Sequence, residues 1–343
     1  MIAFTTNHSF FYQISHYCYK AGERCVEYCL SLDGGGTKLA GVLFDKQYNL
    51  IASGRGQSIN YVKQEEILET IHKCLDECLF SQDVQVLNRV YITMPASADL
   101  VLKVLQERVE VAEIVHLNEG LMSLLAGLQC MQGVVVLAGT GSGVFQIDHE
   151  DWRHIGGWGN LLGDEGSACF IGREGINAVL REYEHRGERT VIRDLVEQEW
   201  SCSNKQELLD CVYQTDKPRN KIASVSILVA RAALSGDEHA IRIFEQAGAL
   251  LALQTKVILE QMPATRSTPI MIAGSVWKGC EGMLSSFRNE LNAQYPTIEV
   301  QVPLFEPVVG GVVAQYLQGN AQITPEFISH LSQQYSKYLY ISS

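Results

Sequence analysis

A chain of 343 residues is long enough for two domains of ordinary size, and its 46% hydrophobic and 19% charged residues suit two apolar cores. A net charge of -12 argues against nucleic acid as a partner, because a phosphate backbone needs a basic face; ATP stays open, since a nucleotide needs only a local cradle of N–H groups and a metal ion. No stretch approaches the ~18 apolar residues of a membrane span, so no membrane partner is expected. Residues 1–26 lack a basic start and a clean apolar core; they make a poor signal peptide and read as an N-terminal extension of uncertain order. The ten cysteines are scattered without a CxxC pair, which predicts buried, reduced thiols and a cytoplasmic location rather than a zinc site or a disulfide framework.

In chain order, Val26–Leu32 predicts a strand ending in a glycine run, Leu39–Phe44 a second, and Leu50–Ala52 a third after a turn at Asp45–Asn49. Tight turns between three short strands imply an antiparallel start to a mixed sheet. Gln64–Leu79 has apolar residues at Ile67, Leu68, Ile71, Leu75 and Cys78, the spacing of a helix. Val90–Met94 reads as a strand, Val101–Val109 as a helix and Glu113–Leu117 as a strand. The scheme then begins again with strands at Gly133–Ala138 and Gly143–Ile147 and a turn at Asp148–Asp151. Helices are predicted over Gly166–Glu184, Val191–Gln198, Ile222–Leu234 and Ala240–Leu259, a strand at Pro269–Ile272, and helices over Gly311–Leu317 and Pro325–Tyr338.

The pattern contains an internal echo: LSLDGGGTKLAGVL at Leu30–Leu43 and VVVLAGTGSGVFQI at Val134–Ile147 each put a glycine-rich hairpin between two apolar strands. Duplication of one fold accounts for this, and it implies a cleft between the halves where the two hairpins can grip a phosphate chain. In the first, Gly34, Gly35 and Gly36 let N–H groups approach phosphate oxygens without a Cβ in the way. Asp33 can hold Mg²⁺ directly or through water, Thr37 adds a hydroxyl and Lys38 a charge. An ordinary glycine-rich hairpin would read the same in isolation. Neither a Walker loop nor a dinucleotide fingerprint is present. Thr140, Gly141 and Ser142 supply the second set of donors. Gly156-Gly157-Trp158-Gly159 and Gly163-Asp164-Glu165-Gly166-Ser167 offer amides, an aromatic face and carboxylates suited to a sugar, while their acidic and hydroxyl residues can equally cap the next helix. Phosphorylating a hydroxyl requires a carboxylate to accept its proton. Asn118 and Glu119 follow the Glu113–Leu117 strand, which puts Glu119 at a strand end facing the cleft as the candidate base.

These motifs resemble the N-acetylglucosamine kinase branch of the actin/sugar-kinase/Hsp70 superfamily, which shares its fold with ATPase subunits of benzoyl-CoA reductase and with activators of 2-hydroxyacyl-CoA dehydratases. The similarity runs from about Glu27 to Tyr316 through DGGGTK, NEG at Asn118–Gly120, AGTGS, GGWGNLLGDEGS, IAGSVWK at Ile272–Lys278 and PVVGG at Pro307–Gly311. The resemblance implies Asp33 and Thr37 in the first phosphate loop and Thr140 in the second, near both nucleotide and sugar. Gly274 and Ser275 would form the adenosine-binding turn, with Ala223 lining the same pocket. Asn60 would bind sugar hydroxyls, and Gly157, Trp158 and Asp164 would hold the sugar and its N-acetyl group. The chain departs from the family in carrying Glu119 where aspartate is usual, and around Thr93-Met94-Pro95-Ala96, where a glycine-rich turn is often found. No cysteine pair matches the iron–sulfur ligands of the activators.

The expectation is therefore an α/β chain of two RNase H-like domains flanking a nucleotide/sugar cleft. Residues 27–128 with the helix at 322–343 would form the small domain and 129–321 the large one. Its reaction would be ATP- and Mg²⁺-dependent phosphorylation of an amino sugar at the 6-hydroxyl, N-acetylglucosamine first. Glucosamine, N-acetylmuramate or glucose as acceptor, an ATPase that energises a partner protein, and a sugar sensor are the alternatives. A homodimer is compatible with the family.

Overall fold

The computed structural model describes residues 27–36, 38–59, 63–79, 84–94, 98–149, 151–262, 268–319 and 322–340. The first sheet begins with an antiparallel meander of β1 (Tyr28–Gly34), β2 (Leu39–Asp45) and β3 (Leu50–Gly56). Helix α1 (Gln64–Leu79) then crosses to β4 (Val86–Thr93), which lies parallel to β1, and α2 (Ala98–Gln106) leads to β5 (Glu110–Val111) and β6 (Ile114–His116), both parallel to β4. The strand order is β3-β2-β1-β4-β5 with β6 also on β4. Leu30, Leu32, Leu39 and Leu43 on one face of this sheet join Ile71, Cys74, Leu75 and Cys78 of α1 and Val101 and Leu105 of α2 in one buried cluster.

Helix α3 (Glu119–Leu128) connects to a second sheet built the same way: β7 (Gln132–Ala138), β8 (Ser142–Asp148) and β9 (Asp151–Ile155) form an antiparallel meander. Helices α4 (Ala168–Tyr183), α5 (Val191–Trp200), α6 (Lys205–Tyr213), α7 (Pro218–Leu234) and α8 (Glu238–Glu260) follow, then β10 (Ile270–Ala273), α9 (Glu281–Asn292) and β11 (Val300–Gln301). β10 is parallel to β7 and β11, giving the order β11-β10-β7-β8-β9. The echo in the sequence is thus an echo of topology, and the two-sheet, two-domain α/β architecture is the one expected. Among the described residues every cysteine is a free thiol, and no helix is long and apolar enough to cross a membrane.

The elements differ from the expectation where burial on all sides or a mostly polar surface hides the period. Helix α3 was not expected, because eight of its ten residues, Gly120 to Gly127, are buried and no polar face marks its period. Glu119 accordingly opens a helix rather than ending a strand, with Asn118 as the N-cap whose Oδ1 accepts from Leu121 N at 2.8 Å. Strand β9 is a polar edge strand with weak alternation, and α9 buries only Met283, Phe287 and Leu291, a stripe too narrow to stand out.

Between the sheets lies a shared core. Val42 and Phe44 of the first sheet and Val135 and Met271 of the second meet Leu124 and Leu125 of α3, Val312 and Val313 of α10 (Gly310–Gln318), and Phe327 and Leu331 of α11 (Pro325–Gln334). Helix α10 can run here only because it begins with two glycines. A Cβ on Gly310 would lie 2.2 Å from Met122 O of α3, and one on Gly311 would lie 2.3 Å from Ser31 Oγ of β1. Ser31 Oγ in turn donates to Val308 O at 2.7 Å, tying β1 to the turn before α10. Replacement Gly310→Val should lower the unfolding free energy by about 2 kcal/mol, the cost of overpacking against rigid backbone. Denaturant titration measures this, and an unchanged midpoint would mean that α10 can move away from α3.

Candidate active site

The two glycine hairpins meet across the gap between the sheets. The first turn is closed by Gly35 N donating to Lys38 O at 3.0 Å, the second by Gly139 N donating to Gly141 O at 2.8 Å. A Cβ added at Gly36 would stand 2.9 Å from Thr140 Cβ, so the loops are in van der Waals contact. The start of α4 holds the second loop, with Ala168 N donating to Gly139 O at 2.9 Å and Cys169 N to Thr140 O at 3.3 Å. Thr140 is buried, and its Oγ1 has no hydrogen-bond partner within the protein.

Two cavities adjoin at this contact. One of about 670 Å³ is lined by Ala223, Ile227, Phe244, Val276 and Gly279, a largely apolar wall suited to a base and ribose. The other, of about 590 Å³, is the polar one of the two by virtue of its charged groups, with Asp33, Lys38, Glu119, Ser123, Asp164, Arg219 and Glu306 facing it. Gly36, Gly139, Thr140 and Ser275 belong to both. A polyphosphate that runs between the cavities would pass the hairpin contact, and Thr140 Oγ1 is a donor without a partner at that point.

The polar cavity carries four carboxyl groups. Asp33, inside β1 and paired with Ala40 and Thr93, has its pKa pushed up to about 6, chiefly by burial, with Lys38 opposing and Glu306 reinforcing the shift. Glu119 is pushed up to about 7 by burial and then by the charge of Asp33. Glu306 behaves oppositely: burial would raise it, but Lys38 and Lys278, both ion-paired to it, hold it below the ordinary range. Asp164 pairs with Arg219 at 3.2 Å, both side chains nearly enclosed. Asp33 and Glu119 therefore form the one pair in the cavity whose charges are not matched by an ion-paired cation among the described residues.

The glycine-rich segment after β9 folds as the sequence composition demands. Gly156, Gly157, Gly159 and Gly166 take positive φ, and Asp164 joins them at φ 59°. Ser167 caps α4 by accepting from Phe170 N at 3.1 Å, and Ser142 Oγ donates to Glu165 O at 2.7 Å, which binds the segment to the second hairpin.

Of the residues singled out from sequence, Asp33, Gly35, Gly36, Lys38, Glu119, Thr140, Gly141, Ser142, Gly157, Asp164, Ala223, Gly274 and Ser275 all line one or both cavities. Gly34 does not; it is the last residue of β1, packed towards Ile59 and Met94. Asn118 caps α3 behind Glu119. Trp158 is 66% exposed and leans on His154 with ring centroids 5.4 Å apart, outside the cavity lining. Thr37 and Asn60 lie outside the described residues, as do Pro95 and Ala96. Sequence reasoning missed Ser123, Phe145, Trp152, His154, Arg219, Glu306 and Tyr340 in the polar cavity. Ser123 and Phe145 sit in elements that are buried on most sides, and Arg219 and Tyr340 come from distant segments with no motif of their own. Glu306 adjoins PVVGG, His154 lies two residues before the GGWG segment, and Phe145 lies inside the second strand–hairpin–strand unit.

A sequence profile of the BadF/BadG/BcrA/BcrD ATPase family matches residues 30–314. An N-acetylmuramic acid/N-acetylglucosamine kinase of Clostridium acetobutylicum is 25% identical over 299 residues, 84% of this chain and 98% of its own. Among solved structures, a candidate N-acetylglucosamine kinase from Porphyromonas gingivalis superposes with a TM-score of 0.65 at 16% identity, covering 86% of this chain and 100% of its own. One from Chromobacterium violaceum gives 0.64 at 17%, covering 84% and 99%.

The carboxyl pair yields a pH test on protein free of metal and nucleotide. The Glu119 pKa of about 7 lies above its ordinary 4.5, so between those values the folded chain holds more protons than the unfolded one. Stability is therefore lost as pH rises through about 7. A glutamine is never charged, so Glu119→Gln should unfold at a higher temperature than the parent at pH 8, and the gap should close near pH 5. No gap at pH 8 would mean that water reaches the Glu119 carboxylate freely.

Proposed function

The chain belongs to the BadF/BadG/BcrA/BcrD ATPase family, and on that footing we propose that it is an ATP-dependent kinase of an amino sugar, transferring the γ-phosphoryl group to the 6-hydroxyl of N-acetylglucosamine. The observation that carries this reading is the adjacency of the two cavities at the Gly36–Thr140 contact, with Asp33 and Glu119 both lining the polar one. A nucleotide in the apolar cavity would extend its phosphates past both hairpins towards a sugar beside Glu119.

In the proposed reaction Glu119 accepts the proton of the sugar hydroxyl as its oxygen bonds to the γ-phosphorus and the bond to the β-phosphate oxygen breaks, releasing ADP. A pKa of about 7 suits a group that must be ionised before transfer and protonated after it. Asp33 is suited to hold Mg²⁺, an ion that keeps waters and takes one or two carboxylates besides substrate phosphates. Bound there, Mg²⁺ would offset the negative charge of the phosphates and of the carboxyl pair. Amides of Gly36 and Gly141 and the Thr140 hydroxyl would stabilise the charge on the group in transfer. Asp164, oriented by Arg219, would accept hydrogen bonds from sugar hydroxyls.

With Asp164 and Glu306 ion-paired to cations, the pair Asp33 and Glu119 leaves the sugar side of the site acidic. That favours an uncharged acceptor over one with its own carboxylate, and so N-acetylglucosamine over N-acetylmuramate, although the Clostridium acetobutylicum relative is named for both.

ADP release with Mg²⁺·ATP across N-acetylglucosamine, glucosamine, N-acetylmannosamine, N-acetylmuramate and glucose tests the reading; the largest stimulation should come from N-acetylglucosamine. ADP formation indifferent to every sugar would replace it with an ATPase acting on a protein partner. In the same assay Glu119→Gln should cut transfer by roughly 100-fold or more while nucleotide affinity is retained. Normal turnover by that variant would move the base elsewhere.

A further inference from the structure

The segment that follows α11 doubles back into the cleft. Leu339 forms an antiparallel bridge with Phe305; Glu306 N donates to Tyr338 O at 2.8 Å and Tyr340 N to Leu304 O at 2.9 Å. This short zipper brings Tyr340 into the wall of the polar cavity. There its hydroxyl donates to Gly274 O at 2.8 Å, and Lys278 Nζ stands 4.0 Å from its ring centroid. The same ammonium group lies 3.3 Å from Glu306 Oε1, while the other Glu306 oxygen takes Lys38 from the first hairpin.

Gly274 follows β10 with φ 95°, a conformation in which glycine has many neighbouring alternatives. The turn it begins carries Ser275, which faces both cavities, and Lys278, which faces the apolar one. One hydrogen bond and one cation–π contact from a single side chain therefore hold both ends of this turn. The turn already has local support, since Gly274 packs on Ala138 of β7 and Trp277 Nε1 donates to Val136 O at 3.1 Å; Tyr340, 66 residues away in sequence, adds the contacts on the side that faces the cleft.

We propose that Tyr340 is a positioning residue of the nucleotide site. It pins the Gly274–Ser275 turn through its hydroxyl and aims Lys278 through its ring, so that the segment after α11 sets affinity for ATP. This inference rests on the kinase reading for the identity of the ligand, and it concerns binding rather than transfer.

The test uses the full chain with Tyr340→Phe, which keeps the ring and loses the hydroxyl, and Tyr340→Ala, which loses both. Binding of a non-hydrolysable ATP analogue with Mg²⁺, without sugar, is measured by calorimetry beside the sugar KM at saturating ATP and the thermal midpoint. Tyr340→Phe should weaken analogue binding roughly fivefold, the worth of one hydrogen bond, and Tyr340→Ala roughly tenfold or more with the cation–π contact also gone. The sugar KM should not move in Tyr340→Phe. Unchanged analogue affinity in both variants would overturn the proposal. So would a normal Tyr340→Phe beside a Tyr340→Ala that loses affinity, sugar KM and thermal stability together, since that is the mark of a packing role alone. A parent protein that binds the analogue but shows no sugar-dependent turnover would sink the kinase reading and leave this inference standing. A parent that binds no analogue would sink both.

Discussion

Two hairpin loops about a hundred residues apart come so close that a methyl group on Gly36 would meet Thr140 at 2.9 Å. Neither loop can reach for the other. Each is the tip of a hairpin whose register runs to its last pair, Gly34 with Leu39 in the first and Ala138 with Ser142 in the second. Their separation is therefore set by how one sheet packs on the other. That packing is fixed by the apolar core of α3, α10 and α11 and by the close passage of Gly310 and Gly311 between α3 and β1. The PVVGG motif, distant from both loops in sequence, belongs to the same constraint. It allows the sheets to stand near enough for the hairpins to touch.

The electrostatics follow from the same approach. Asp33 is the next-to-last residue of the strand beneath the first loop, and Glu119 begins the helix that leads into the second sheet, so bringing the sheets together buries two like charges in one cavity. Other carboxylates there are matched: Asp164 by Arg219 and Glu306 by Lys38 and Lys278. The raised pKa values of Asp33 and Glu119 are the residue of that arrangement. A folded protein that keeps an unmatched, desolvated carboxyl pair is less stable near neutral pH than it would be with amides there. The cost has a use if a cation and a proton are to be received at that place.

Much of this was legible in the sequence because glycine patterns report backbone geometry directly. The duplicated strand–hairpin–strand units, the spacing of α1 and the left-handed segment around Gly156–Gly166 all follow from local chemistry. What sequence reasoning missed is non-local. Helix α3 hid because burial on every side erased its period. Trp158, attractive as an aromatic in a sugar-like motif, turned out to lie against His154 outside the cavity lining, which no local rule decides. Arg219 and Tyr340 reach the site from the first turn of α7 and from beyond α11, and their importance depends on which carbonyl or carboxylate happens to lie opposite.

Helix α3 has a mechanical meaning besides its packing. Its body, Leu121 to Ala126, is set in the core that both sheets share, and its first residue is Glu119. A rotation of one sheet against the other about that core would leave Glu119 near the axle and carry the exposed loop with Trp158 further. Opening of the cleft would admit and release ligands at the rim with the carboxylate almost stationary. In the proposed reaction that carboxylate would then keep its alignment from one turnover to the next, and only the ligands would need to be brought to it.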